Sequence, residues 1–120
     1  PVNAVEATRK SLKIINKESW RREKLFSLIN YYKKNIHKSG FISLESDSQI
    51  QALLIGSSKD AMHISEELLK KSIYIPAIRP PTVKEGSSRL RVSLTVDHEE
   101  DDIDYLINIL HTISINLVQS

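Results

Sequence analysis

The eight residues RLRVSLTV, Arg89 to Val96, alternate polar and apolar side chains and constrain the fold more than any other stretch. Successive side chains of a β-strand point to opposite faces, so this pattern predicts a strand with one buried face and one polar face. The buried set is Leu90, Val92, Leu94 and Val96, and the polar set is Arg89, Arg91, Ser93 and Thr95. The chain is therefore expected to build a sheet around this strand.

Two short apolar runs, residues 50–56 and 73–78, predict two further strands. Pro76 cannot donate a ladder hydrogen bond, which places its strand at a sheet edge or at a bulge. Apolar residues at three- and four-residue spacings predict helices on either side of these runs. They span residues 2–15, residues 18–37 after an interruption at Asn16, the segment that follows the N-cap Ser58, and residues 103–117.

This order of elements predicts an α+β fold, with a small, mainly antiparallel three-stranded sheet covered by helices. Residues 1–40 are expected to be helices that enter the unit, and residues 41–120 to form a strand-helix-strand-strand-helix domain. A chain of 120 residues that is 40% hydrophobic and 27% charged fits one compact globular domain.

Composition excludes several classes of function. The absence of cysteine rules out disulfides and thiolate chemistry and suits a cytoplasmic protein. No apolar run is long enough to span a bilayer, and the first ten residues lack a signal-peptide core. A net charge of +2 is too small to imply a nucleic-acid partner. The four histidines have no metal-ligand spacing, and helix capping explains the acidic run DHEEDD, so no metal site is predicted.

Two neighbouring features could bind a ligand. Pro80 and Pro81 stiffen the loop RPPTVKEGSS and present Arg79 and Thr82 with little conformational freedom, although a rigid connector without a ligand has the same signature. The strand that follows places the guanidinium groups of Arg89 and Arg91 on one face. Arginine binds carboxylates and phosphates through paired hydrogen bonds, although a solvated outer face is the alternative.

The segments IRPPTV, RLRVSLT, a histidine and DIDYL together resemble the C-terminal region of the α-oxoamine synthase family of pyridoxal-phosphate enzymes. The proline loop is most similar to the branch of the family that makes 8-amino-7-oxononanoate for biotin synthesis. PVNAVEATRKSLKII, WRREKL and IQALLIG resemble the helices and the first strand of the same small domain, so the resemblance covers nearly the whole chain. Lys84 departs from the family, which commonly has another proline there.

The resemblance implies the small domain of a fold type I enzyme that condenses L-alanine with a pimeloyl thioester of coenzyme A or a carrier protein, with loss of carbon dioxide. Arg91 would hold the amino-acid carboxylate and Thr82 would contact substrate, whereas Arg79 and Arg89 acquire no role. Pyridoxal 5'-phosphate and its lysine would belong to an upstream large domain. The chain would then be roughly the last third of a homodimeric enzyme, without catalytic residues of its own and inactive alone.

Two alternatives remain open at this point. Relatives that make 5-aminolevulinate or 2-amino-3-oxobutyrate share the RLR-like strand but usually differ in the proline loop. A small α+β unit with an open sheet face could also be a stand-alone regulatory domain that binds a small molecule. A nucleic-acid-binding domain, suggested only by the basic face of the long helix, is a weaker third possibility.

Overall fold

A computed structural model describes the backbone of residues 2–119 and the side chains of residues 18–118. Within it, three α-helices and four strands alternate in an α+β arrangement, which confirms the predicted fold class. The elements are α1 (Val2–Asn35), a 3₁₀ turn (Ile36–Ser39), β1 (Ile42–Ser43), β2 (Ile50–Gly56), α2 (Ser58–Lys70), β3 (Ala77–Ile78), β4 (Ser88–Ser93) and α3 (Glu100–Gln119).

The sheet is antiparallel, with strand order β1-β2-β4-β3. β4 lies between β2, where Leu53 is opposite Leu90, and the edge strand β3, where Ile78 is opposite Arg89. All three predicted strands are present, and β3 occupies the edge position that Pro76 indicated. The sheet has four strands rather than three, because the chain after α1 pairs two residues with β2. A two-residue strand has no periodicity that a sequence pattern can reveal.

One face of the sheet carries the hydrophobic core. Leu90, Val92 and Leu94 are at most 4% exposed there and belong to one cluster with residues of all three helices, including Leu28, Ile64 and Leu110. Full burial of a leucine or valine side chain contributes about 1.5–3 kcal/mol. The alternation predicted for β4 is confirmed, because Arg91 and Ser93 are exposed on the opposite face.

The helices differ from the predictions most at Asn16 and at the N-cap of α2, and by two or three residues at the end of α1 and at both ends of α3. α1 continues through Asn16, because asparagine lowers helix propensity by less than about 1 kcal/mol and is no helix breaker. The expected stripe of Val5, Thr8, Leu12 and Ile15 lies outside the described side chains. No helix within residues 2–119 is long and apolar enough to cross a membrane.

The N-cap of α2 is Ser57 rather than Ser58. The Ser57 hydroxyl accepts a hydrogen bond from the backbone N–H of Asp60 at 3.1 Å, as a capping side chain does. The Ser58 hydroxyl lies 3.1 Å from that of Ser88, a buried residue at the start of β4. The two serines therefore divide two tasks: one caps the helix and the other joins it to the sheet.

Gly40 ends the helical region, as its position in the sequence predicted, with a left-handed φ of +86°. A Cβ atom at this position would lie 2.7 Å from the Ser114 hydroxyl oxygen and 3.2 Å from the Ser114 Cβ. Gly86, in the loop before β4, has a similar φ of +83°, but a Cβ atom there would meet nothing within 4 Å. The two glycines thus share a backbone requirement and differ in their surroundings.

Gly40→Ala is expected to destabilise the fold more than Gly86→Ala does. Both changes carry the conformational cost of a left-handed alanine, about 1–2 kcal/mol, but only Gly40→Ala adds a steric clash with α3. Urea unfolding followed by circular dichroism measures the difference. Equal losses of unfolding free energy in the two variants would contradict the close approach of Gly40 to Ser114.

The fold favours the neutral, protonated form of two adjacent tyrosines of α1, Tyr31 and Tyr32. The Tyr31 hydroxyl donates a 2.6 Å hydrogen bond to an Asp104 carboxylate oxygen of α3, and this bond raises the pKa of Tyr31 to about 12. The Tyr32 hydroxyl is buried without a hydrogen-bond partner among the described residues. Burial, opposed by the neighbouring Ser43 hydroxyl, raises the pKa of Tyr32 to about 12.

These shifts predict a loss of stability in alkali. A pKa that is higher in the folded state than in the unfolded state stabilises the fold fully below pH 10, and this contribution is lost as the pH rises to about 12. The free energy of unfolding should therefore decline over that range, as measured by urea denaturation at each pH. Tyr31→Phe and Tyr32→Phe should each remove part of the decline. An undiminished decline in the double variant would show that other groups cause it.

Candidate substrate-binding site

The loop between β3 and β4 consists of two consecutive turns. In the first, the backbone N–H of Thr82 donates to the Arg79 carbonyl at 3.1 Å, around a cis Pro80–Pro81 peptide bond. In the second, both the backbone N–H and the hydroxyl of Ser87 donate to the Lys84 carbonyl, at 3.0 and 2.7 Å. Local hydrogen bonds therefore add to the constraint that the prolines place on the loop.

The three arginines of this region have different surroundings. An Nη1 nitrogen of Arg79 lies 3.0 Å from the Met62 sulfur of α2, and the Nε of Arg89 donates to the Ser87 carbonyl at 3.2 Å. The guanidinium of Arg91 is exposed and has no hydrogen-bond or ion-pair partner among the described residues. Of the three, Arg91 is the one whose guanidinium donors are all without a partner among the described residues.

Arg91 lies at a groove of about 580 Å³ formed by residues 71–76, the end of β4 and the first turns of α3. This volume is within the range of small-molecule sites, about 300–1,000 Å³. Buried apolar side chains, among them Ile75, Val92 and Leu106, line one part of it. The polar and aromatic lining includes Arg91, His98, Asp102, Lys71, Tyr74 and Tyr105.

The groove lies beside the part of β4 that β3 does not reach, because β3 is only two residues long. The sequence pattern extended this strand over residues 73–78, but pairing begins only at Ala77. Pro76 has no N–H to offer β4, although its carbonyl accepts from the Arg91 backbone N–H at 3.0 Å. Before Pro76 the chain leaves the sheet, and Tyr74 is 78% exposed. Proline at this edge thus leaves the last part of β4 open to a ligand.

Thr82 lies at the other end of the β3–β4 hairpin. The Ile78–Arg89 pair separates its turn from Arg91, which follows Arg89 by two residues, or about 7 Å along a strand. Thr82 is exposed and is not part of the groove lining. The structure therefore places the two candidate residues at opposite ends of one hairpin, without a contact between them among the described side chains.

Sequence reasoning missed His98, because the four histidines were judged only by metal-ligand spacing. The His98 Nδ1 accepts a hydrogen bond from the Thr95 backbone N–H at 3.0 Å, and the ring lines the groove that Arg91 also lines. The sequence did contain a signal for this contact: a threonine, Thr95, stands three residues before His98, close to the end of a predicted strand. Lys71 and Tyr105 were missed as well, and a 3.3 Å hydrogen bond from the Tyr105 hydroxyl to the Lys71 carbonyl connects them.

The acidic run before α3 has the capping role that its sequence predicted. An Asp102 carboxylate oxygen accepts from the Glu99 backbone N–H at 2.8 Å, and three acids occupy the first turn of α3. Within the part of the chain whose side chains are described, no group of three or more metal-ligating residues has a geometry that could hold an ion.

The family described as aminotransferase class I and II matches residues 1–110 of the chain. The chain is 43% identical over 110 residues to an 8-amino-7-oxononanoate synthase of Thioalkalivibrio sulfidiphilus. The aligned region covers 92% of this chain and 28% of the relative. It is 44% identical over 107 residues to the 8-amino-7-oxononanoate synthase of Alcanivorax borkumensis, with 89% of this chain and 28% of the relative covered. The chain thus spans little more than a quarter of the length of these relatives.

Solved structures show the same fold. A serine palmitoyltransferase of Sphingomonas wittichii superposes with a TM-score of 0.72 at 21% identity, over 79% of this chain and 24% of that one. An 8-amino-7-oxononanoate synthase of Francisella tularensis superposes with a TM-score of 0.69 at 18% identity, over 82% of this chain and 28% of that one. At these identities the likeness concerns the fold, and it confirms the predicted small-domain architecture.

Proposed function

Because the chain belongs to the aminotransferase class I and II family, we propose that it is the C-terminal small domain of a larger pyridoxal-phosphate-dependent acyltransferase. Its share of the relatives' length supports this proposal, as does its α+β fold, in which Arg91 and Ser93 of β4 are exposed on the face opposite the core. The large domain of the complete enzyme would bind the cofactor, and the small domain alone would be inactive. The complete enzyme would be a cytoplasmic homodimer.

The reaction we propose joins L-alanine to a pimeloyl thioester, on coenzyme A or a carrier protein, and gives 8-amino-7-oxononanoate, carbon dioxide and the free thiol. The names of relatives that are 38–45% identical support it, and so does the IRPPTV loop. Bound pyridoxal phosphate supplies the electron sink for chemistry at the amino acid's α-carbon.

We assign no residue of this chain to the cofactor. An imine-forming lysine must lose its proton near neutral pH, which burial promotes by lowering the pKa of the amine. Lys71, the lysine that lines the groove, is exposed and therefore does not fit this role.

Arg91 is proposed to hold the carboxylate of alanine. The observation that carries this role is its guanidinium, which has no partner among the described residues and lies beside a groove of ligand size. A guanidinium can donate two parallel hydrogen bonds to one carboxylate, which fixes the orientation of the amino acid as well as its position. Thr82, at the other end of the hairpin, would contact a part of the substrates remote from this carboxylate.

The decisive experiment is Arg91→Ala in the complete polypeptide, with the product measured by mass spectrometry. The KM for alanine should rise about 10- to 100-fold, because a charge-assisted bidentate pair is lost. Arg91→Lys should recover only part of the loss, since an ammonium cannot reproduce the planar pairing. The free energy of unfolding should change by less than about 0.5 kcal/mol, as for an exposed residue without a partner.

Arg79→Ala provides the matched control, because it removes a guanidinium of the same region that contacts Met62 and is assigned no substrate role. Its alanine KM should stay at the wild-type value. An unchanged KM in Arg91→Ala would remove the site assignment. Turnover of glycine or serine in place of alanine would instead redirect the proposal to another α-oxoamine synthase.

A further inference from the structure

The turn between β4 and α3 is closed by a reciprocal pair of hydrogen bonds. The Thr95 backbone N–H donates to the His98 Nδ1 at 3.0 Å, and the His98 backbone N–H donates to the Thr95 carbonyl at 3.1 Å. The Thr95 hydroxyl also accepts from the Asp97 backbone N–H at 3.3 Å. Main chain and imidazole together therefore fix residues 95–98, four of the six residues that separate β4 from α3.

The first of these bonds defines the state of the imidazole. A ring nitrogen that accepts a hydrogen bond carries no proton, so this bond requires the tautomer of His98 with its proton on Nε2. No alanine, leucine or lysine at this position could accept the Thr95 N–H through its side chain. Asparagine could, because its side-chain oxygen lies about where Nδ1 does, whereas glutamine extends its amide towards the Nε2 position.

Beyond Arg91, the two neighbouring strands support β4 unequally. On the β3 side, the Arg91 N–H to the Pro76 carbonyl is the last backbone hydrogen bond among the described residues. On the β2 side, pairing continues to the bond between the Leu94 N–H and the Gln49 carbonyl at 2.8 Å. The Thr95–His98 turn is the next fixed point, and the groove is lined by residues 91–94 before this turn and by His98 within it.

We propose that His98 is a positioning residue for substrate binding: through its Nδ1 it fixes the end of β4, and thereby holds the groove wall that presents Arg91 to the carboxylate. The inference rests on the proposed function for its substrate and on the turn geometry for its mechanism. It gives a role to the histidine that separates the strand motif from the DIDYL segment.

The test compares three variants of the complete polypeptide, His98→Asn, His98→Gln and His98→Ala, in steady-state kinetics with alanine and a pimeloyl thioester. His98→Asn keeps the acceptor and should hold the alanine KM within about 2-fold of wild type. His98→Gln and His98→Ala lose the acceptor and should raise that KM about 3- to 10-fold, as expected for one hydrogen bond, with kcat nearly unchanged. If the higher KM values came from general misfolding caused by the loss of the imidazole, His98→Asn would show them as well.

A second readout needs no activity. Deuterium exchange of the complete polypeptide, followed on peptides that cover residues 91–98, should be as slow in His98→Asn as in wild type and faster in the other two variants. If the wild-type enzyme does not turn over alanine, the proposed function fails, and this exchange pattern still decides the role of the turn.

Two results would overturn the inference. Equal KM values and equal exchange in all three variants would show that the Nδ1 bond holds nothing in place. Wild-type behaviour of His98→Gln together with a loss in His98→Asn would show that Nε2 contacts the substrate directly and that His98 is a binding residue instead.

Discussion

The rest of the structure depends on the register of β4 between its two neighbours. Pairing of Leu90 with Leu53 on one side, and of Arg89 with Ile78 on the other, turns Leu90 and Val92 of β4, and Leu94 directly after it, into the core. Because side chains alternate with a period of two, the same register sends Arg91 to the opposite face. A slip of one residue would expose the core and bury the guanidinium. Fold and site are thus two consequences of one ladder of hydrogen bonds.

This coupling explains why so much of the fold follows from the sequence alone. The alternation of Arg89 to Val96 predicted which side chains of residues 89–93 are buried and which are exposed, although β4 begins at Ser88 and ends at Ser93, and the apolar run 50–56 marked β2 at its true bounds. The patterns failed where a contact between distant segments decides the outcome. β1 exists only because two residues meet β2, and the N-cap passed to Ser57 because Ser58 bonds to Ser88, thirty residues away.

The candidate site divides in the same way. Residue type and spacing identified Arg79, Arg89 and Arg91 as candidate ligand-binding residues, because the guanidinium of any of the three could bind an anion. The family resemblance favoured Arg91, and the fold adds a physical distinction, since Met62 and Ser87 contact the first two and nothing among the described residues contacts the third guanidinium. The groove could not be foreseen either, because it is a gap in the sheet that opens where the chain before Pro76 turns away from β4.

The measurement that tests this account most directly is a crystal structure of the complete polypeptide with alanine bound. The account predicts the alanine carboxylate against the Arg91 guanidinium, with two N···O distances of about 2.7–2.9 Å, and the Thr95–His98 turn unchanged behind it. An alanine carboxylate held by other residues, with the Arg91 guanidinium paired to a protein carboxylate, would contradict it.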